Sequence, residues 1–94
     1  MKKVSETGIE KYTEEIANGA LVMNIRVETT EDGKAVNAPV RRNEKVVATL
    51  TSENDGSIFL SVNKDANLSA EELTDLFAKS ASVIAEIRGI VQPE

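Results

Sequence analysis

The spacing of apolar residues changes between the middle and the end of the chain, and this change constrains the fold more than any other feature of the sequence. In four segments between residues 21 and 62 apolar side chains recur at every second position, as they do in strands with one buried face. From residue 69 onward they recur with the 3.6-residue period of an amphipathic helix. The sequence therefore predicts an α+β domain in which an antiparallel meander precedes a long C-terminal helix.

Alternating segments at residues 21–29, 34–40, 46–51 and 58–62 form the predicted sheet. Residues 34–40 are predicted as an edge or half-formed strand, because Pro39 has no N–H to donate to a neighbouring strand. In the last two segments the alternation directs Val47 and Phe59 to the outer face of the sheet. The residues predicted to face inward are Leu21, Met23, Ile25, Val27, Val46, Ala48, Leu50, Ile58, Leu60 and Val62.

The C-terminal helix has clear signals at both ends. Ser69 followed three residues later by Glu72 is a capping box, in which each residue's side chain bonds the other's backbone N–H. Gly89 near the end and Pro93 beyond it are typical stop signals. We predict a helix from Ser69 to Ile90.

A second, shorter helix is predicted near the N-terminus. Thr7 followed three residues later by Glu10 has the spacing of a capping box, three apolar residues at positions 9, 12 and 16 form one stripe, and Gly19 is the predicted end of the helix. At 94 residues the chain has room for one domain. The predicted architecture is a two-layer sandwich, with a three- or four-stranded antiparallel sheet covered by the long C-terminal helix and the short N-terminal helix.

The sequence contains no cysteine and no histidine, which removes many kinds of active site. Thiolate nucleophiles, serine–histidine catalysis and zinc sites built on imidazole or thiolate are excluded. Asn63, Asp65 and Asn67 are spaced like the start of a calcium loop, but Leu68 and Thr74 stand where that loop requires Gly and Glu. The sequence predicts no catalytic residue, no metal site, no cofactor and therefore no enzyme.

The charge and apolar content favour a cytoplasmic protein that does not enter a membrane. The longest apolar run is residues 20–23, against the ~20 residues that a membrane-spanning helix needs. The first 15 residues contain four Glu in place of the apolar core of a signal peptide. The net charge is −5, and most of the acidic excess lies in the second half of the chain.

Two sets of residues are predicted to form protein contacts. Ala78, Ala81 and Ala85 extend the apolar side of the C-terminal helix and predict a close neighbour, either the N-terminal helix or a second subunit. Val22, Val47 and Phe59 are predicted to form a small apolar patch on the outer sheet face. These sets favour a non-enzymatic protein-interaction module that forms a homodimer and presents a surface to another, unidentified protein.

Two alternatives concern charge. Arg26, Arg41, Arg42 and Lys45, with Phe59 to stack a base, would suit a single-stranded nucleic-acid-binding protein. Nearby acidic residues nearly cancel this basic cluster, and charged residues at a sheet edge also prevent aggregation. The acidic second half is the basis of the other alternative, an acidic inhibitor or nucleic-acid mimic.

Overall fold

Six strands form one antiparallel sheet, and one helix follows them. The structure, a computed structural model, describes residues 9–31, 33–53 and 55–88, together with the backbone of residues 2–5. The elements are β1 (Lys2–Ser5), β2 (Ile9–Ile16), β3 (Leu21–Thr30), β4 (Gly33–Arg42), β5 (Lys45–Ser52), β6 (Ile58–Val62) and α1 (Ala70–Ile87). The strands lie side by side in chain order. The predicted α+β class is confirmed, whereas the predicted number of strands was too low.

The core lies between one face of the sheet, called here the inner face, and α1. From α1, Leu76, Val83 and Ile84 are buried in a single cluster with the inward-facing residues of the central strands. Met23, on β3, and Leu50, on β5, are at most 1% exposed. The alternation of apolar and polar residues in β3 is thus the pattern of a strand whose inner face is covered by α1.

The predicted N-terminal helix is wrong, because its residues form β2. Ala17, Asn18 and Gly19 adopt φ values of 53°, 57° and 93°, and the amide of Gly19 donates to the carbonyl of Ile16 at 3.2 Å. Asn-Gly favours such positive φ angles and is a hairpin signal, so Gly19 turns the chain into β3 instead of ending a helix. The predicted start at Thr7 lies outside the described residues.

The prediction that Pro39 makes its segment an edge strand is also wrong. β4 pairs with β3 on one side and with β5 on the other, and Pro39 is in register with Thr49. In the pairing of β3 with β4, Met23 is in register with Val40, and the next pair is Arg26 with Asn37. The pairing is interrupted between these two pairs, opposite Pro39. The missing N–H is thus accommodated by a local gap in one ladder, which a ten-residue strand tolerates.

Val47 is directed into the core, contrary to the predicted alternation. Val40 is in register with Ala48, but the next residue, Arg41, is in register with Val46. This bulge inserts Val47 as an extra residue in β5, where it is only 2% exposed. Val46, predicted to face inward, instead lies opposite Arg41.

The capping box at the start of α1 is confirmed. The amide of Glu72 donates to Ser69 Oγ at 3.1 Å, and the amide of Ser69 donates to Glu72 Oε1 at 2.9 Å. The helix runs from Ala70 to Ile87 and is capped at Arg88. The predicted end at Ile90 and the stop signals at Gly89 and Pro93 lie outside the described residues.

Candidate interaction site

A single helix is too narrow to cover this sheet. Six strands spaced ~4.8 Å apart span about 24 Å, whereas a helix with its side chains is ~10–12 Å wide. The inner face therefore extends beyond α1 on both sides, towards β2 and towards β6. The two sides differ in chemistry.

The side towards β2 is polar and is connected to the helix by two hydrogen bonds and one ion pair. Asp75 Oδ2 accepts the backbone N–H of Ala17 at 2.7 Å. Lys79 Nζ donates to the carbonyl of Glu15 at 3.3 Å and lies 3.9 Å from a carboxylate oxygen of Glu14. The polar side chains of Asp75 and Lys79 on this side of the helix therefore have their partners within the chain.

The side towards β6 is an apolar groove, called here the α1/β6 groove, with a volume of about 400 Å³. Ile58 and Phe77 line it and are 52% and 56% exposed. Ser80 contributes the only polar side chain among the described lining residues, and its buried Oγ has no hydrogen-bond partner among the described residues. The groove is lined by Leu50, Ile58, Leu60, Phe77, Ser80, Ala81, Ile84 and Ala85.

Beside the groove, β6 is an edge strand, and its outer backbone groups pair with no other described strand. The amide of Asn63 donates to the carbonyl of Val47, and the carbonyl of Ser57 accepts from the amide of Glu53, both at 2.9 Å. Odd-numbered residues of this strand therefore direct their backbone groups towards β5. Since successive residues alternate, Ile58, Leu60 and Val62 direct theirs outward. These N–H and C=O groups are called here the open edge of β6.

The opposite edge of the sheet has the features that discourage further strand pairing. β1 has the sequence Lys-Lys-Val-Ser, and its register with β2 shifts between Lys3 and Ser5. Lysines and bulges are both common on protected edge strands. β6, with the sequence Ile-Phe-Leu-Ser-Val, has neither a charged residue nor a proline, and its register with β5 is continuous.

Of the residues predicted for protein contact, two line this groove. Ala81 is exposed and Ala85 is buried, and both face the groove. Ala78 is exposed on the other side of α1, beside Ala17 and Glu15. The N-terminal helix, one of the two predicted neighbours of this alanine flank, is a strand, so contact with a second subunit is the alternative that stays a prediction.

The predicted outer patch is not contiguous. Val47 is buried in the core. Phe59 is 59% exposed and shares a cross-strand row with Thr51, Asn37 and Arg26. Val22 lies four residues away from that row along β3, at ~3.3 Å per residue, and three strands away across the sheet.

The predicted basic cluster is divided between the two faces of the sheet. Arg26 and Arg41 lie on the outer face in different cross-strand rows, with Phe59 also on that face. Arg42 faces α1, where its Nη2 lies 2.6 Å from Glu72 Oε2, and Nη1 donates to the carbonyl of Ala66 at 3.3 Å. Lys45 is exposed at the β4–β5 turn, in register with Arg42.

The ion pair of Arg42 belongs to the start of the helix. The Ser69 backbone N–H and the Arg42 guanidinium both donate to Glu72, and together they hold the pKa of that carboxyl below its ordinary value. A carboxylate bonded in this way stabilises the helix terminus and is not poised for proton transfer. Arg42 therefore has a structural partner within the chain.

Ile58 and Leu60 are site residues that the sequence reasoning assigned only to the inner face of the sheet. Phe77 is a third, and in the sequence it belongs to the apolar stripe of the predicted C-terminal helix. Their apolar character was visible, but their exposure depends on the number of strands that one helix must cover. Two further strands, β1 and β2, enlarge the sheet beyond that width. The absence of charge along residues 58–62 was the signal in the sequence that could have indicated an unprotected edge.

No group of three or more acidic residues in the described ranges is close enough to hold a metal ion. None of the helices described has the length and apolar content needed to cross a membrane. Compared with models of known protein families, with curated proteins and with solved structures, the chain gives no match.

Proposed function

We propose that this chain is a small, acidic, non-enzymatic protein-interaction module that docks its partners at the α1/β6 groove and the adjoining open edge of β6. The observation that carries this proposal is the difference between the two uncovered sides of the inner face. On the side towards β2, Asp75 and Lys79 bond the sheet. On the side towards β6, the apolar side chains of Ile58 and Phe77 are exposed. Exposed apolar surface of this kind is typical of contact sites.

The groove and the open edge supply complementary kinds of recognition. Backbone N–H and C=O groups on a strand edge can bond an added strand of any sequence, which contributes affinity. Apolar side chains next to the edge then select the side chains of the added segment. The module thus has a local basis for both affinity and specificity.

The proposal is tested by comparing three forms of the immobilised chain as baits in an extract of the native host. These are the wild type, Ala81→Arg and Ser82→Arg. Ala81 is exposed and lines the groove, and Ser82, which is also exposed, lies outside it, so Ser82→Arg is the matched control. A retained protein, which can be this chain itself, is then purified and titrated against each form by calorimetry.

We expect Ala81→Arg to weaken binding at least tenfold, which corresponds to about 1.4 kcal/mol, and Ser82→Arg to leave it unchanged. A partner that binds all three forms equally would show that the groove is not the docking site. Failure of the wild-type chain to bind any protein would contradict the proposed function.

A further inference from the structure

The open edge of β6 has the form of half of a symmetric interface. We infer that two copies of this chain pair through β6 in antiparallel orientation, with Leu60 of one copy opposite Leu60 of the second. This inference rests on the proposed function, because it uses the same surface. It adds the identity of the occupant and the register of the contact.

The backbone supports this register. Antiparallel pairing centred on Leu60 places Ile58 of one copy opposite Val62 of the second, and the reverse. Ile58, Leu60 and Val62 are the residues whose N–H and C=O groups face outward, as inferred from the bonds of their neighbours to β5. Residues that face each other in this way exchange two hydrogen bonds per pair. The register therefore satisfies the whole open edge.

The side chains support the same register. Ile58, Leu60 and Val62 lie on the inner face, in register with Ser52, Leu50 and Ala48 of β5. A shift by one residue would place these apolar side chains against the outer face of the second copy. In the proposed register they meet only one another, so Ile58, now 52% exposed, is covered by Val62.

Charge is compatible with the contact despite the net charge of −5 on each copy. None of the residues that line the groove is charged. Asp55 lies in the turn before β6, and Lys64 lies in the turn after it, with Asp65 beyond. Continued into the turns, this register places Asp55 of each copy opposite Asp65 of the second, with Lys64 beside that pair to offset the like charges. The contact is therefore carried by the uncharged residues 58–62 and not by opposite charges.

A second copy is favoured over an unrelated strand because the two edges of the sheet differ. β1 combines two lysines with a bulge, whereas β6 has no charged residue and a continuous register. Natural proteins usually protect exposed strand edges. Pairing with a second copy protects β6 whenever the chain is present at sufficient concentration, without a further partner.

Sedimentation equilibrium of the full chain over a wide concentration range tests the dimer. We expect the wild type to reach twice its chain mass of 10.2 kDa. Ile58→Lys places a charge at the edge on an exposed position, so this variant is expected to remain folded by circular dichroism and to sediment as a monomer. Ser82→Lys, on the exposed surface of α1, should behave as the wild type. A wild type that is monomeric throughout would overturn the inference.

Cysteine cross-linking tests the register, because the chain has no native cysteine. In Leu60→Cys the two thiols face each other, and oxidation should give a covalent dimer. In Ile58→Cys they are separated by four residues along the strands, or ~13 Å, beyond the ~7 Å limit for the Cα atoms of a disulfide. Equal cross-linking at both positions, or none at 60, would overturn the register.

These outcomes are separable from those of the extract experiment. One combined outcome is a monomeric wild type together with an unrelated partner whose binding is lost in Ala81→Arg. That outcome would support the proposed function and would show that the occupant is not a second copy. Dimerisation that survives Ile58→Lys would place the contact elsewhere and would also overturn the inference.

Discussion

At the scale of single residues, Glu72 connects the start of α1 to the sheet. Its carboxylate accepts the backbone N–H of Ser69 at 2.9 Å and the guanidinium of Arg42 at 2.6 and 2.7 Å. Arg42 also donates to the carbonyl of Ala66, in the segment between β6 and α1. One carboxylate thus fixes the helix terminus, the preceding segment and the end of β4. The bonds that the Glu72 carboxylate itself accepts, from Ser69 and Arg42, are stronger when Glu72 is ionised.

The free energy of unfolding should therefore depend on the charge of Glu72. The pKa of this group in the folded chain lies below its ordinary value of 4.5, because Ser69 and Arg42 donate to the ionised form. The stabilisation is complete above the ordinary pKa and is lost as the pH falls through the lower, folded-state pKa. We expect Glu72→Gln, which can keep the capping box but not the charge, to be less stable at pH 7 and to lose less stability on acidification.

Urea denaturation at a series of pH values measures this difference. Glu71→Gln, in the same turn of α1 but exposed, is the matched control and should follow the wild type. Asp55 contributes equally to all three proteins; its pKa is also lowered, mainly because the backbone N–H of Ser57 donates to it. Parallel curves for Glu72→Gln and the wild type would contradict the assigned role.

At the scale of elements, the hairpin between β2 and β3 depends on an unusual turn. Ala17 and Asn18 both adopt positive φ angles, of 53° and 57°. Asn tolerates this conformation, but alanine does so at a cost of ~1–2 kcal/mol. The bond from the Ala17 amide to Asp75 helps to hold the backbone in place. The turn therefore stores strain at one position.

Ala17→Gly should relieve that strain and stabilise the chain by about 0.5–1 kcal/mol, after allowance for the greater flexibility of glycine in the unfolded state. The melting midpoint of the variant should rise. Ala20→Gly lies in the same turn without a positive φ and should lower the midpoint. A fall in both variants would show that the conformation of Ala17 is not strained.

This turn also shows the limits of prediction from the sequence. β3 and α1 were predictable because each has a long apolar period, and the capping box of Ser69 and Glu72 is a local signal. β2 was not, since Ile9, Tyr12 and Ile16 fit a helical stripe and only the Asn-Gly turn favours a hairpin. The secondary structure of a short segment that fits both patterns is determined by the strands that pair with it.

The bulge and the groove lay beyond prediction for a different reason. Val47 follows an alternating pattern, and its inward direction results from the unequal pairing of β4 with β5. The exposure of Ile58 and Phe77 depends on the width of the whole sheet relative to one helix. Of the groove-lining residues, Ala81 and Ala85 were predicted as contact residues, because small residues on a helix flank are a local signal.

At the scale of the whole molecule, the sheet and the helix are held by contacts of different sequence separation. Every strand pairs with its sequence neighbours, so the sheet is built from hairpins. The ties of α1 to the sheet span long stretches of chain: Asp75 bonds Ala17, 58 residues away, and Lys34 Nζ bonds the carbonyl of Ile87, 53 residues away. Because long loops are costly to close, we expect the hairpins to form first and α1 to dock late.

Folding kinetics can test this order. Asp75→Ala removes a bond that forms on helix docking, so it should raise the unfolding rate by about fivefold per kcal/mol lost and leave the folding rate nearly unchanged. Ala17→Gly changes the hairpin turn, so it should mainly raise the folding rate. Stopped-flow measurements over a range of urea concentrations give both rates. A slower folding rate for Asp75→Ala would indicate that α1 docks before the rate-limiting step.

The difference between the two sheet edges also limits how far such molecules can assemble. A protein with two unprotected strand edges can add copies at both and grow into a fibre. Here β1 combines two lysines in its sequence with a register shift, both features of a protected edge, whereas β6 has no charged residue and a continuous register. If copies of this chain pair through β6 as inferred, growth by strand addition would stop after one step and give a closed pair with twofold symmetry.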